Sequence, residues 1–415
     1  MNNPGSHTEI LPHLFRQEHA KMTAVLCRHF GLKHVEIAED IASDTFLKAS
    51  EHWAIHGTPG NPIAWLYTVA KNKAKDYFKK LSVFETKVKN NPEKKNIHYE
   101  FEFEYNDQLI ADSQLAMIFA VCNPANSSKS QICLALQILC GFSVEEIANA
   151  FLTKAETIKK RLQRARTNLR NDKFQIRSLS EAAIVSRLST VLKTLYLVFN
   201  EGYFSKTSDQ HVRKELCSEA IRLGMVLTDN ALTDTPQVNA LLALMCYQSS
   251  RLEARAGDNG EIVLFDEQDR EKWDKSLIQR GNWYLINATS GDEISAYHLE
   301  AGIAYWHTVT SDAKWQHILQ LYNQLIVIDY TPIVALNRVF AFAKVYGRKK
   351  AVVEAEKLEL TGNGHYHGLL GYLYSESDTK KAIAHYEQAI QLTRSKKERQ
   401  VLAELISRCA AGYAQ

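Results

Sequence analysis

The residues able to do chemistry here are cations, and the densest group lies between residues 154 and 170. Lys159, Lys160, Arg161, Arg164, Arg166 and Arg170 fall on one face of a predicted helix, with Glu156 alone opposing them near its start. An acid at that end suits the helix dipole. The opposite face carries Ile158, Leu162, Ala165 and Leu169 at steps of three and four, a stripe made for a core. Guanidinium and ammonium groups spaced this way meet phosphates and the edges of bases. A solvated basic face on an ordinary helical hairpin is the alternative, because such faces are common.

No catalytic constellation accompanies this patch. There is no glycine-rich phosphate loop and no nucleophile elbow. His365 and His367 are two apart, which on a helix turns their rings away from each other, so no metal site is expected. The acidic run from Asp266 to Asp274 lacks the spacing and central glycine of a calcium loop and reads as an exposed helix start. Cys27, Cys122, Cys133, Cys140, Cys217, Cys246 and Cys409 form no CxxC pair and read as reduced core residues, with redox sensing the minor reading. No cofactor and no enzymatic activity are expected.

The elements that must position the cations follow from periodicity. With 8 Pro and 18 Gly in 415 residues, 45% hydrophobic content and long 3.6-residue periods, the chain reads as all-α, in two or three domains. Upstream of the basic helix, Ser143 is an N-cap and Glu146 closes a capping box; Ile147 and Phe151 share a face, and residues 152–154 make a turn. Two helices at a short turn, the second of them basic, have the form of a helix-turn-helix. Before it, residues 113–140 supply two strongly apolar helices.

Nearer the start, residues 7–30 read as a first helix and residues 36–53 as a second, with Ile37, Ile41, Thr45, Phe46 and Ala49 as its buried stripe. The stretch HGTPGNP is a loop, and Pro62 begins a third helix. In that helix Trp65, Tyr67, Tyr77 and Phe78 are interleaved with Lys71, Lys73, Lys75, Lys79 and Lys80. Rings among lysines suit strand-separated DNA, the rings stacking on unpaired bases. An amphipathic helix with aromatic core anchors is the equal alternative.

Charge supports a polyanion partner weakly. The first 177 residues hold 24 Lys and Arg against 19 Asp and Glu, within a net charge of +3 for the whole chain. The start lacks the pattern of a signal peptide, and no apolar run is expected to reach the roughly 18 residues of a membrane span. A soluble, cytoplasmic protein with no membrane partner is therefore expected.

Three stretches together resemble an extracytoplasmic-function sigma factor of the sigma-70 family: AEDIASDTFLKASEHW, GTPGNPIAWLYTVAKNKAKDYFKK and GFSVEEIANAFLTKAETIKKRLQRARTNLR. The resemblance implies core RNA polymerase and promoter DNA as partners. It places a polymerase- and minus-ten-binding domain at residues 8–81, a linker at 82–112, and a helix-turn-helix domain for the minus-thirty-five element at 113–175. By position it implies polymerase contacts at Asp40, Asp44, Phe46 and Leu47, although Ser43 and Asp44 stand where the family usually has Gln and Glu. It implies minus-ten contacts at His56, Asn61, Trp65, Asn72, Lys75 and Lys79. The minus-thirty-five candidates are Lys154, Thr157, Lys159, Lys160, Arg161, Arg164 and Arg166. In the linker, Glu100, Glu102, Glu104 and Asp107 are candidate phosphate mimics in a basic channel; a plain tether is the alternative.

Ordinary family members end near Arg170, whereas this chain continues for more than two hundred residues. Leu370, Gly371, Tyr374, Tyr386 and Ala389 follow a tetratricopeptide pattern, with a weaker copy over residues 332–358. Residues 261–281 look less regular, with a short strand-like turn before a helix. A solenoid of helical hairpins over residues 180–415 is expected. The LYLVFNEGY stretch resembles the signature of a sigma-factor subgroup with a long extension that governs activity. Asn200, Glu201, Gly202 and Tyr203 are then interdomain residues, Gly202 permitting a turn; a helix end with a packed tyrosine is the bland alternative. An unknown peptide or small-molecule signal on the extension is a candidate partner. A DNA-tethered scaffold whose repeat body binds a protein partner is the competing reading of the whole chain.

Overall fold

The computed structural model describes residues 6–89, 106–204, 210–255 and 263–411. Among these it contains eighteen α-helices and no strand, so the chain is all-α. Two compact units divide it, Met1–Thr233 and Asp234–Gln415.

The first unit opens with α1 (Ser6–Phe30), α2 (Val35–His56) and α3 (Pro62–Lys89). In α2 the buried residues Val35, Ala38, Ile41, Thr45, Phe46, Ala49 and Trp53 recur at three and four, which turns one face onto α1. Phe46 meets Phe15 edge-on at 5.1 Å, and Phe30 meets Phe78 at 4.4 Å. Gly57 ends α2 with φ 79, a left-handed backbone that glycine adopts without a steric penalty. Asn61 then caps α3, its side chain accepting from the Ala64 N–H at 3.0 Å. Helix α3 runs to Lys89, eight residues into the stretch expected as linker. Glu100, Glu102 and Glu104 lie outside the described residues.

Next come α4 (Asp107–Val121), α5 (Ser128–Leu134) with a π-helical continuation Ala135–Leu139, α6 (Val144–Ala150) and α7 (Ala155–Asn171). Asp107 begins α4 instead of lying in a tether. The α4 and α5 side chains are almost wholly buried, as their apolar composition requires. The expected capping box forms at α6: Glu146 N–H donates to Ser143 Oγ at 3.1 Å, and Ser143 N–H to Glu146 Oε2 at 2.7 Å. The turn into α7 places Leu152 at φ 48. Ile158, Leu162, Ala165 and Leu169 are the buried stripe of α7.

Two further helices, α8 (Glu181–Tyr203) and α9 (Gln210–Thr228), belong to the same compact unit. Helix α8 is long and apolar enough by composition to cross a membrane, contrary to the expectation that no such run exists. Its apolar residues Val191, Leu192, Leu195, Val198 and Phe199 are buried, and it packs on α4, α5 and α9. Gly202 lies inside this helix, buried, so the turn expected there is not made.

The second unit is a run of helices, each packed on the next in sequence: α10 (Pro236–Ser249), α11 (Lys275–Asn287), α12 (Ala296–Thr308), α13 (Lys314–Ile328), α14 (Pro332–Tyr346), α15 (Arg348–Glu356), α16 (Gly364–Tyr374), α17 (Thr379–Leu392) and α18 (Lys396–Ala410). This is an α-solenoid. Gly371 of α16 shows why the repeat needs a glycine: a Cβ there would stand 2.5 Å from the Tyr386 ring. The irregular stretch before α11 consists of short 3₁₀ turns at Phe265–Glu267 and Arg270–Lys272. Asp274 then caps α11, accepting from the Ser276 and Leu277 N–H groups.

Candidate nucleic-acid interface

The basic helix α7 presents two sets of cations. Lys154, Thr157, Lys159, Lys160 and Arg164 are exposed to solvent. Arg161 is half-buried, its Nη1 3.7 Å from Cys133 Sγ. Arg166 and Arg170 turn the other way, onto α2. Arg166 Nη2 donates to Glu39 Oε1 at 2.8 Å and to Gln137 Oε1 at 2.9 Å, while its Nη1 donates to Glu39 Oε2. Arg170 pairs with Glu36 at 2.7 Å. The helix is thus held to the first three helices through its last two turns. The Arg166–Glu39 pair is well shielded, with side chains 12% and 18% exposed.

On α3, Asn72, Lys75 and Lys79 are exposed. Trp65 is half-buried against the His52 ring (5.3 Å) and the Trp53 ring (5.5 Å), and the exposed His56 ring lies 4.5 Å from His52. Loop residue Asn61 is exposed. These residues form one strip along the α2 end, the loop and α3. Tyr67 and Phe78 do not join it: both are core, and Tyr67 donates to Glu18 Oε2 at 3.1 Å. The aromatic–lysine pattern of α3 is therefore partly core anchoring.

On α2, Asp40 and Asp44 are exposed, and Asp44 pairs with Lys73 at 3.2 Å. Leu47 is 60% exposed, whereas Phe46 is 4% exposed and packs inward, so Leu47 and not the Phe46 ring is open on this face. Ile55, 78% exposed and eight residues further on, shares the Leu47 face. Sequence reasoning passed over Ile55 because it falls off the apolar stripe.

Asn200, Glu201, Gly202 and Tyr203 form the last turn of α8. Tyr203 is buried and stacks on Phe199 at 5.6 Å. The Asn200 Oδ1 is buried without a hydrogen-bond partner. The Glu201 carboxylate helps to raise the Cys133 thiol, after burial, so its field reaches α5. Other braces had no sequence signal, since their partners are far apart along the chain. Arg187 of α8 pairs with Asp172 at 2.9 Å and donates to the Phe119 carbonyl at 3.3 Å. Arg222 of α9 donates to the Leu139 carbonyl at 2.9 Å, and Arg16 of α1 pairs with Glu215 of α9.

Burial sets the local electrostatics. The His19 imidazole, beside Ser43 and near Glu39, is pushed down to about 4 by burial. His29 is pushed down to about 4 by burial, aided by Arg177 and Arg28. Burial also pushes the Cys122 thiol up to about 12, and raises Cys27, Cys133 and Cys140, which keeps them as thiols. Among the described residues no group of three or more His, Cys, Asp or Glu is placed to hold a metal ion.

Comparison with known proteins divides the chain in a similar way. Residues 14–83 match sigma-70 region 2, and residues 187–289 match a family of unknown function (DUF6596). An uncharacterized protein of Rhizobium meliloti (strain 1021), R00370, is 31% identical over 383 residues, spanning 90% of this chain and 89% of its own length. No solved structure matches.

Proposed function

The chain belongs to the sigma-70 family, and from this premise we propose that it is a sigma factor of the extracytoplasmic-function type whose own C-terminal helices regulate it. As a sigma factor of RNA polymerase its partners are the core enzyme and promoter DNA. The exposed α7 cations Lys154, Lys159, Lys160 and Arg164, with Thr157, would read the minus-thirty-five element. Arg161 and Arg166 would join them once α7 is released. His56, Asn61, Trp65, Asn72, Lys75 and Lys79 would meet the minus-ten element. Asp40, Asp44 and Leu47 would face the polymerase.

The observation that supports regulation is the clasp between α7 and α2. Elements centred at minus ten and minus thirty-five lie some 25 base pairs apart, about 85 Å of duplex at ~3.4 Å per pair. A recognition helix whose Arg166 rests on Glu39 of α2 does not span that distance. The arrangement is a closed one, and Arg187, Arg222 and Glu215 add braces from α8 and α9. On this reading the helices beginning with α8 restrain the factor, and its last turn, Asn200–Tyr203, is part of the restraint.

Transcription with purified core RNA polymerase on a promoter library tests both parts. The full chain is expected to direct initiation weakly, and Glu36→Ala with Glu39→Ala to raise it at least tenfold. Failure of both proteins to bind core polymerase would remove the sigma reading. Equal activity of the two would remove the clasp.

A further inference from the structure

The second unit carries a chamber of about 1360 Å³, open to solvent on one side and larger than the roughly 300–1,000 Å³ of an ordinary small-molecule site. Part of its wall is not repeat helix at all but the chain's own stretch before α11, residues 264–267, of which Phe265–Glu267 form a 3₁₀ turn. Phe265 is inserted among cations and rings: the Arg251 guanidinium lies 4.9 Å and the Lys314 Nζ 5.2 Å from its centroid, with the His307 ring at 4.7 Å. The next two residues each meet a cation on a different helix. Asp266 pairs with Lys344 of α14 at 3.3 Å, and Glu267 with Arg408 of α18 at 2.7 Å. An aromatic side chain followed by two carboxylates thus lies across a surface complementary to it.

That surface has more positive charge than these residues neutralise. Lys314 is 8% exposed, and among the described residues its ammonium has no ion pair and no hydrogen bond. Its ammonium rests between the Phe265 and Trp315 rings, both chamber walls. Burial, then neighbouring Arg270, lower its pKa, against the raising field of Asp266. Asp266 is paired with Lys344, so a closer anion for this buried cation is left for a ligand to supply. The two ion pairs that hold the resident stretch are largely exposed, Asp266 at 65% and Arg408 with Glu267 at 51% and 45%, and such pairs hold weakly.

We propose that this chamber is a docking site for a short acidic peptide segment bearing an aromatic residue, and that residues 264–267 are the chain's built-in stand-in for it. A partner segment of the same chemistry displaces the stand-in and brings a carboxylate to Lys314. The volume fits a segment several residues long, two successive carboxylates of which can meet Lys344 and Arg408 as Asp266 and Glu267 do.

The probe is a fluorescein-labelled octapeptide with the sequence of residues 263–270, titrated against the full chain by anisotropy. Neither polymerase nor promoter is present, so the outcome is independent of the sigma reading. Asp266→Asn with Glu267→Gln, which loosens the stand-in while keeping the Phe265 ring, is expected to tighten binding at least tenfold. Adding Lys314→Met should abolish the gain. Because Lys314 is buried, Lys344→Gln provides a second reading at a solvent-reachable ion pair and should weaken binding at least fivefold. Unchanged affinity in the loosened variant, equal binding of an Asn/Gln version of the peptide, or indifference to both lysine changes would overturn the proposal. Full competition by N-acetylphenylalanine would also overturn it, in favour of a small-molecule site.

Discussion

Arg166, on the second helix of the helix-turn-helix, places both arms of its guanidinium on the carboxylate of Glu39, 127 residues earlier on α2. A bidentate pair of this kind is strong and geometrically selective. It joins the helix expected to read DNA to the helix expected to face polymerase. Removing one partner from a shielded pair leaves the other uncompensated, at about 3 kcal/mol. Glu39→Ala is therefore expected to open the first unit. Small-angle scattering should show a larger radius of gyration, and an unchanged radius would count against the clasp.

Arg164 separates base or phosphate contact from clasp contact. It is exposed on α7 and, among the described residues, forms no hydrogen bond or ion pair with α2. In a Glu39→Ala background, Arg164→Ala should weaken promoter binding by about 5- to 150-fold, the 1–3 kcal/mol of one lost bidentate contact. Anisotropy at fixed salt measures it. Binding unaffected by Arg164→Ala would place the DNA contacts elsewhere.

Gly371 tests the solenoid. A methyl group there would meet the buried Tyr386 ring at 2.5 Å. Alanine's better helix propensity, worth about 1 kcal/mol, opposes an overpacking cost of about 1–3 kcal/mol. A lower melting temperature is expected for Gly371→Ala. Gly362→Ala, with nothing within 4 Å, is the control and should leave the melt nearly unchanged.

His19 and His29 make the first unit acid-sensitive. Both are held down at about 4, below the ordinary histidine value, chiefly by burial. A depressed histidine stabilises the fold while it is neutral in both states, above about pH 6.5. That stability is lost as pH falls from about 6.5 toward 4, because the unfolded chain takes up the proton first. At pH 5 the deeper His19 should have lost about 2 kcal/mol, and His29, more open to screening solvent, less. Denaturant melts at pH 7.5 and pH 5 check this, and a His19→Gln, His29→Gln variant should lose most of the difference.

Asn200 keeps Oδ1 buried without a partner. Such an orphan costs stability that an apolar residue of similar shape recovers. Asn200→Leu should stabilise the first unit by about 1 kcal/mol in a chemical melt. If the α8 end takes part in release, the same change should also lower transcription by the full chain.

The all-helical class, the Ser143–Glu146 box and the α7 stripe were legible in the sequence, since each depends on residues within a few positions of one another. Gly371 facing Tyr386 was legible for the same reason, through a repeat pattern of one hairpin. Long-range placement was not. Tyr67 and Phe78 carry the types expected of a contact surface, yet they are core, because only packing decides which side of a helix faces a neighbour. Gly202 suggested a turn, but α8 has enough buried apolar length to continue through it. The sequence by itself determined a basic second helix in a helix-turn-helix. Only the tertiary structure decided that Arg166 and Arg170 of that helix bind Glu39 and Glu36, because charge pairs over a hundred residues apart leave no local pattern. The same holds for residues 264–267. Their acids looked like the exposed start of a helix, and only the fold of the solenoid brings Lys344 and Arg408 to meet them.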